Sequence, residues 1–202
     1  MDRVAAEEAG RDPLEPLLWG GAPDAGLAFF GRDPGREEIR WGEPLIGPSG
    51  RLVREAVFFA VHGRMPADFA ERRTVAEHVF LCNRVPYKAP GNKVWPRTVV
   101  EAFRPIMAEI LADVWTGQHL ITLGTEAALW FGEAAEAHWR RPDRYSASLT
   151  VDWPRRITLH PLPHPSPANA QWHARFPAML ADRLRDIGFG SVPGATGVKL
   201  DA

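Results

Sequence analysis

Four short apolar runs, each closed by a turn-forming or polar residue, most limit what this chain can fold into. They are Leu27-Ala28-Phe29-Phe30, Val79-Phe80-Leu81-Cys82-Asn83, Leu120-Ile121-Thr122-Leu123-Gly124 and Ile157-Thr158-Leu159, within the strand expected over Arg155 to Leu159. Such runs, without strict alternation of apolar and polar residues, suit strands covered on both faces. Segments with helical spacing separate them. One covers about 49–61, with Leu52, Val53, Ala56, Val57 and Ala60 on one face and Ser49 as its N-cap. A second opens on the capping-box pattern of Thr98 and Glu101 and runs to about Trp115, with Pro105 marking a bend or short break. A third starts near Thr125, and an amphipathic helix covers about 170–187. Ser148 to Val151 reads as a hairpin partner or separate short strand before Arg155 to Leu159. This alternation predicts an α/β fold, three layers α/β/α around a central four-stranded, mainly parallel sheet.

The organisation expected is an irregular segment over 1–26, one α/β domain over 27–188 and a flexible tail over 189–202. With 202 residues, 45% of them hydrophobic, the chain can bury one substantial core. A formal net charge of −1 excludes a polycation that coats nucleic acid by bulk charge, so any such contact must rest on a local basic patch. The single cysteine, Cys82, lies in an apolar run and reads as a small core residue, and it excludes an all-cysteine metal site within the chain. The first residues lack an apolar signal core, and no apolar run reaches spanning length, so a soluble, cytoplasmic protein without membrane contact is expected.

In open parallel sheets ligands bind beyond the carboxyl ends of the strands. The segments leaving those ends here carry Asp33, Asn83, the Gly124-Thr125 turn and His164. A carboxylate can stabilise a sugar cation and orient an attacking water. A carboxamide can read the edge of a cyclic imide at two points, and an imidazole can donate to an oxygen that gains charge as a leaving group departs. Taken singly, Asp-Pro-Gly also suits a plain turn, and Asn83 and His164 suit caps or loop ends. His160 and His173 near His164 match no common ligand spacing, so no metal is expected.

Together these segments resemble the uracil-DNA glycosylase superfamily, and most closely its thermophile iron–sulfur branch. That branch carries Gly-Glu-(Ala/Gly)-Pro-Gly followed by Gly-x-Pro-Phe-Val-Gly-x-(Ala/Ser)-Gly. The equivalents here are Gly31-Arg32-Asp33-Pro34-Gly35 and Gly42-Glu43-Pro44-Leu45-Ile46-Gly47-Pro48-Ser49-Gly50. Its asparagine block is matched by Asn83 to Lys93, its Leu-Gly turn by Leu123-Gly124-Thr125-Glu126-Ala127, and its closing motif by His164-Pro165-Ser166. The resemblance implies a uracil-DNA glycosylase-like fold and a monofunctional enzyme of base excision repair. Asp33, at the position of a catalytic aspartate in the most widespread branch, and His164 would be catalytic. Asn83, Gly31, Gly35 and Leu45 would line the base pocket. Gly47, Ser49, Ser166, Lys88 and Lys93 would hold DNA phosphates. DNA containing uracil or related lesions would be the partner, bound by a monomer.

The departures from the pattern carry their own implications. Tyr87 and Phe103 stand where two cluster cysteines would be, so no cofactor is expected. Leu45 replaces the phenylalanine that stacks on uracil, leaving Phe29, Phe30 or Trp41 as candidate rings. Gly35 replaces the tyrosine that excludes thymine, which opens the pocket to hypoxanthine, xanthine or mismatched thymine. Ala168 is small for a wedge that opens the duplex, a role left to Trp172 or His173. Arg84, Lys88, Lys93 and Arg97, with Arg51 and Arg54, form a cationic group facing DNA on this reading. Two further readings stay open: a damaged-base binder that flips the lesion with little turnover, and a small-molecule N-ribosyl hydrolase.

Overall fold

A computed structural model describes residues 1–190, so the tail expected over 189–202 lies, from 191 onward, outside the described residues. In chain order the elements are α1 (Arg3–Glu8), β1 (Trp19–Gly21), β2 (Leu27–Gly31), α2 (Arg36–Trp41), α3 (Pro48–His62), α4 (Phe69–Thr74), β3 (Phe80–Asn83), α5 (Arg97–Glu109), β4 (His119–Leu123), α6 (Thr125–Ala128), α7 (Glu133–Trp139), β5 (Leu149–Val151), β6 (Ile157–Leu162), α8 (Ala170–His173) and α9 (Phe176–Asp186). They build a six-stranded sheet in the order β1-β3-β2-β4-β6-β5. The inner strands β3, β2, β4 and β6 are all parallel, and the edges β1 and β5 are antiparallel to their neighbours.

The apolar runs lack alternation because helices cover both faces. Phe29, Leu81, Ile121 and Leu162 point into one core with Val53 and Val57 of α3 and Leu180 of α9. Phe30, Phe80, Cys82, Leu120 and Leu159 point into the other, with Met107 of α5 and Trp115. Phe30 packs on Trp130 at 4.9 Å and on Phe131 at 5.3 Å between ring centroids. Burying each of these side chains contributes about 1.5–3 kcal/mol. The sheet is therefore the rigid platform that fixes the loops at its ends.

Several expectations need correction. The first 26 residues are not irregular: they hold α1 and β1, and β1 pairs with β3 in register Trp19 to Cys82. Three residues, two of them glycine, gave too short a pattern to read as a strand. The sheet accordingly has six strands, the four parallel ones expected plus two antiparallel edges. The helix over 49–61 begins at Pro48 with Gly47 as its extended N-cap, not Ser49, because proline suits the first helical position. The next long helix begins at Arg97 without a side-chain cap, runs through Pro105, and widens into a π turn over Ile110–Val114. The last helix is split into α8 and α9, with Pro177 in the first turn of α9.

Candidate active site

Register brings the expected residues to one end of the sheet. Gly31 pairs with Asn83, and Leu123 pairs with Leu162, so the chain leaves β2, β3, β4 and β6 on the same side. Across the crevice the order is Asn83, the Gly31–Gly35 loop, Gly124 and His164. From β3 to β6 this spans three strand spacings, about 14 Å.

Asp33 sits in the middle of that line, its side chain only 3% exposed. Burial pushes its carboxyl above the ordinary value of 3.8, while Arg32 and, less strongly, Arg84 and Lys88 pull it back down. Arg32 donates through Nε to one carboxylate oxygen and through Nη2 to the other at 3.4 Å. The same guanidinium lies near enough to His164 to disfavour its protonation. Arg32 thus acts on both residues expected to be catalytic, by hydrogen bonds on Asp33 and by its charge on His164.

His164 is held in one tautomer. The Ser166 backbone N–H donates to its Nδ1 at 3.2 Å, so the proton of the neutral ring resides on Nε2. Burial, and then the Arg32 charge, lowers its pKa below 6.5. Asn169 Nδ2 donates to the His164 carbonyl at 3.1 Å, and His173 Nδ1 meets the Pro165 carbonyl at 3.0 Å. His173 therefore braces the loop from beneath, and Trp172 packs on Tyr145 at 4.9 Å. Gly124, with φ +90°, lets the imidazole approach β4: a Cβ there would stand 2.9 Å from the Cβ of His164.

Asn83 is 2% exposed, and its Nδ2 has no hydrogen-bond partner among the described residues. Its Oδ1 lies against Gly31, where any side chain would collide with it. Gly35 and Gly47 serve a different partner from those expected. Glu38, 8% exposed, accepts from Gly35 N at 2.9 Å, Ile46 N at 3.1 Å and Gly47 N at 2.8 Å. One carboxylate thereby ties the Asp33 loop to the loop before α3. The Gly47 amide is engaged by Glu38 and is not free for a phosphate; Ser49, partly exposed, remains at that helix start. Glu38 could have been found by asking which residue satisfies the amides of two adjacent glycine turns.

Leu45 is 8% exposed and belongs to the core against Val53, with φ +53°, a left-handed conformation that leucine adopts at a cost. Arg54 holds it there. This fully buried guanidinium donates to Leu45 O at 2.6 Å and Pro44 O at 2.9 Å and pairs with Glu43 at 2.7 Å. Burial lowers the Arg54 pKa and Glu43 opposes that shift. Arg54 is thus removed from the cationic group expected to face DNA. Phe29 and Phe30 are fully buried, which removes them as candidate rings, while Trp41, 41% exposed, packs at a tilt on Phe69 at 4.9 Å.

Lys88 also departs from its expected role. It is 5% exposed and pairs with Asp2 at 2.8 Å, so its ammonium braces the N-terminal segment instead of facing a phosphate. Lys93 and Arg97 are exposed, Ser166 partly so. The Ser166 hydroxyl accepts from Ala168 N at 3.2 Å.

A model of the uracil DNA glycosylase superfamily matches residues 19–188, and the chain belongs to that superfamily. It is similar to the Type-4 uracil-DNA glycosylase of Thermotoga maritima, 24% identical over 144 residues, which are 71% of this chain. Those residues span 66% of that relative, just under two thirds of its length. The residues present do not fit an iron–sulfur cluster. Tyr87 and Phe103 pack ring to ring at 5.5 Å, the Tyr87 hydroxyl donates to Leu14 O at 2.8 Å, and Trp95 Nε1 donates to Tyr87 O at 2.9 Å. The one cysteine is buried in β3, its thiol pushed up by burial. Among the described residues no helix is long and apolar enough to cross a membrane.

Proposed function

We propose that this protein is a monofunctional DNA glycosylase that hydrolyses the bond between uracil and deoxyribose and leaves an abasic site. What carries the reading is one pairing: a buried carboxylate and a neutral imidazole with its proton on Nε2, on loops at the same end of the sheet. The reaction breaks the N1–C1′ bond, and the electron pair leaves with the base. The His164 Nε2–H is suited to donate to the uracil oxygen that gathers this charge. Ionised Asp33 would stabilise the cationic sugar and take the proton of the water that adds to C1′. Asn83, with its free Nδ2, would offer a donor and an acceptor to the imide edge. A base inside a duplex cannot reach this crevice, so the nucleotide must be extruded or single-stranded.

The test uses labelled single- and double-stranded DNA with one uracil, followed by alkali to reveal abasic sites. Strand breaks with the unaltered protein are expected; their absence overturns the reading, as does full activity in both Asp33→Ala and His164→Ala. One observation favours a second reading, a lesion binder with little turnover: Arg32 donates to both oxygens of Asp33 and competes with water for that carboxylate. Tight, lesion-dependent binding without alkali-labile sites would support that reading instead.

A further inference from the structure

Arg84 follows β3 and reaches Glu126, which follows β4, at 2.6 Å through Nη1. Because β2 lies between β3 and β4, this ion pair passes over the end of β2, where the Asp33 loop begins. The Arg84 backbone fixes the crossing: its N–H donates to Gly31 O at 3.0 Å, and Val85 N donates to Arg32 O at 3.3 Å. Arg84 is 6% exposed, yet its Nε and Nη2 have no hydrogen-bond partner among the described residues. Those two nitrogens form the parallel, two-donor edge of a guanidinium, the edge that Arg32 uses on Asp33. A buried fork without a partner is costly, and two anionic oxygens satisfy it best.

We propose that this edge of Arg84 is a phosphate subsite, which takes a non-bridging oxygen pair of the DNA phosphate next to the extruded nucleotide. The inference rests on the glycosylase reading for its choice of ligand. The base is not the favoured occupant, because Asn83 and His164 already supply donors to it. Charge points the same way. Arg84 is close enough to weaken proton binding by Asp33, so its charge also opposes a cationic sugar held there. Glu126, half exposed, offsets that charge only in part, and a phosphate on the fork offsets more of it. Bound DNA thereby completes the electrostatics of the site.

The experiment measures binding without turnover. A short single-stranded oligonucleotide with one tetrahydrofuran abasic analogue is titrated by anisotropy at several salt concentrations. Three forms are compared: the unaltered protein, Arg84→Met and Arg84→Lys. Arg84→Met is expected to bind about tenfold more weakly and to lower the slope of log affinity against log salt by about 1. Arg84→Lys keeps the charge and the Glu126 pair but lacks the fork; it should keep the slope and lose affinity, and it carries the test if Arg84→Met does not fold. Each phosphate flanking the analogue is then replaced singly by a neutral methylphosphonate. At one position the replacement should weaken the unaltered protein about tenfold and leave Arg84→Met nearly unchanged. Losses that multiply at both positions, or an unchanged salt slope, overturn the subsite. So does an Arg84→Met protein that binds normally and only excises slowly, which would place the base on the fork. Failure of the unaltered protein to release uracil, with the methylphosphonate pattern intact, would sink the proposed reaction and leave the subsite standing.

Discussion

On the β2 and β3 side of the crevice, one carboxylate sits among Arg32, Arg84 and Lys88; on the β6 side, a neutral imidazole is held by a backbone N–H. Opposing forces set the first: burial raises the Asp33 pKa and three cations lower it. In the second, burial and the Arg32 charge both push the His164 pKa down. The charged side is therefore adjustable, and a bound anion or a lost cation moves it. The neutral side is over-determined. That asymmetry fits the proposed reaction, in which the sugar needs a negative charge and the leaving base needs a donor whose protonation is disfavoured.

The largest break in this comparison is expected from Asp33→Ala, which should slow single-turnover uracil release by about 10²–10⁴-fold. His164→Ala should follow with about 10²–10³-fold. Asp33→Asn should show the same loss of rate yet raise Tm at neutral pH. Because folding raises the Asp33 pKa above 3.8, that group favours the folded state at low pH, and the benefit is lost as pH rises through the folded value. A neutral amide removes the penalty. Unchanged Tm across pH would show that Asp33 is not desolvated.

Next in size is Glu38→Ala, which leaves the amides of Gly35, Ile46 and Gly47 unmet and should destabilise the fold by about 2–3 kcal/mol in urea unfolding. Arg32→Gln should then move the pKa values of Asp33 and His164 upward together, since Arg32 lowers each. Its readout is a pH–rate profile whose acid limb, already above 3.8, shifts to higher pH, with a parallel shift of the His164 ring signal by NMR. Movement of only one group would dissolve the link between the two sides. The smallest effect separates two lysines. Lys93→Ala should lower the salt slope of DNA binding by about 1, while Lys88→Ala should leave the slope unchanged and lower stability through loss of its Asp2 pair.

The inner strands could be read directly from the chain because burial on both faces leaves continuous apolar runs, as in Leu27 to Phe30. Asp33, Asn83, Gly124 and His164 were legible for the same reason, since each stands at the end of such a run. Arg54, Lys88 and Arg84 were not, because a cation on a helix or in a loop looks the same whether it meets solvent, a carbonyl or a carboxylate. Burial decided against the first: all three are under a tenth exposed. Glu38 and Arg32 were missed because their partners are backbone amides and a sequence neighbour, which no spacing pattern marks. β1 was lost because its pairing with β3 is set by distant residues, not by its own three.

The Arg54 node has one more consequence. Its guanidinium also reaches Arg72 O at 3.2 Å, so a single side chain binds the turn before α3 to the end of α4. The shape of the Leu45 turn is thereby dictated by a group that is itself fully buried. A substitution at this hidden fastening would loosen two surface segments at once, although they lie far apart in the chain.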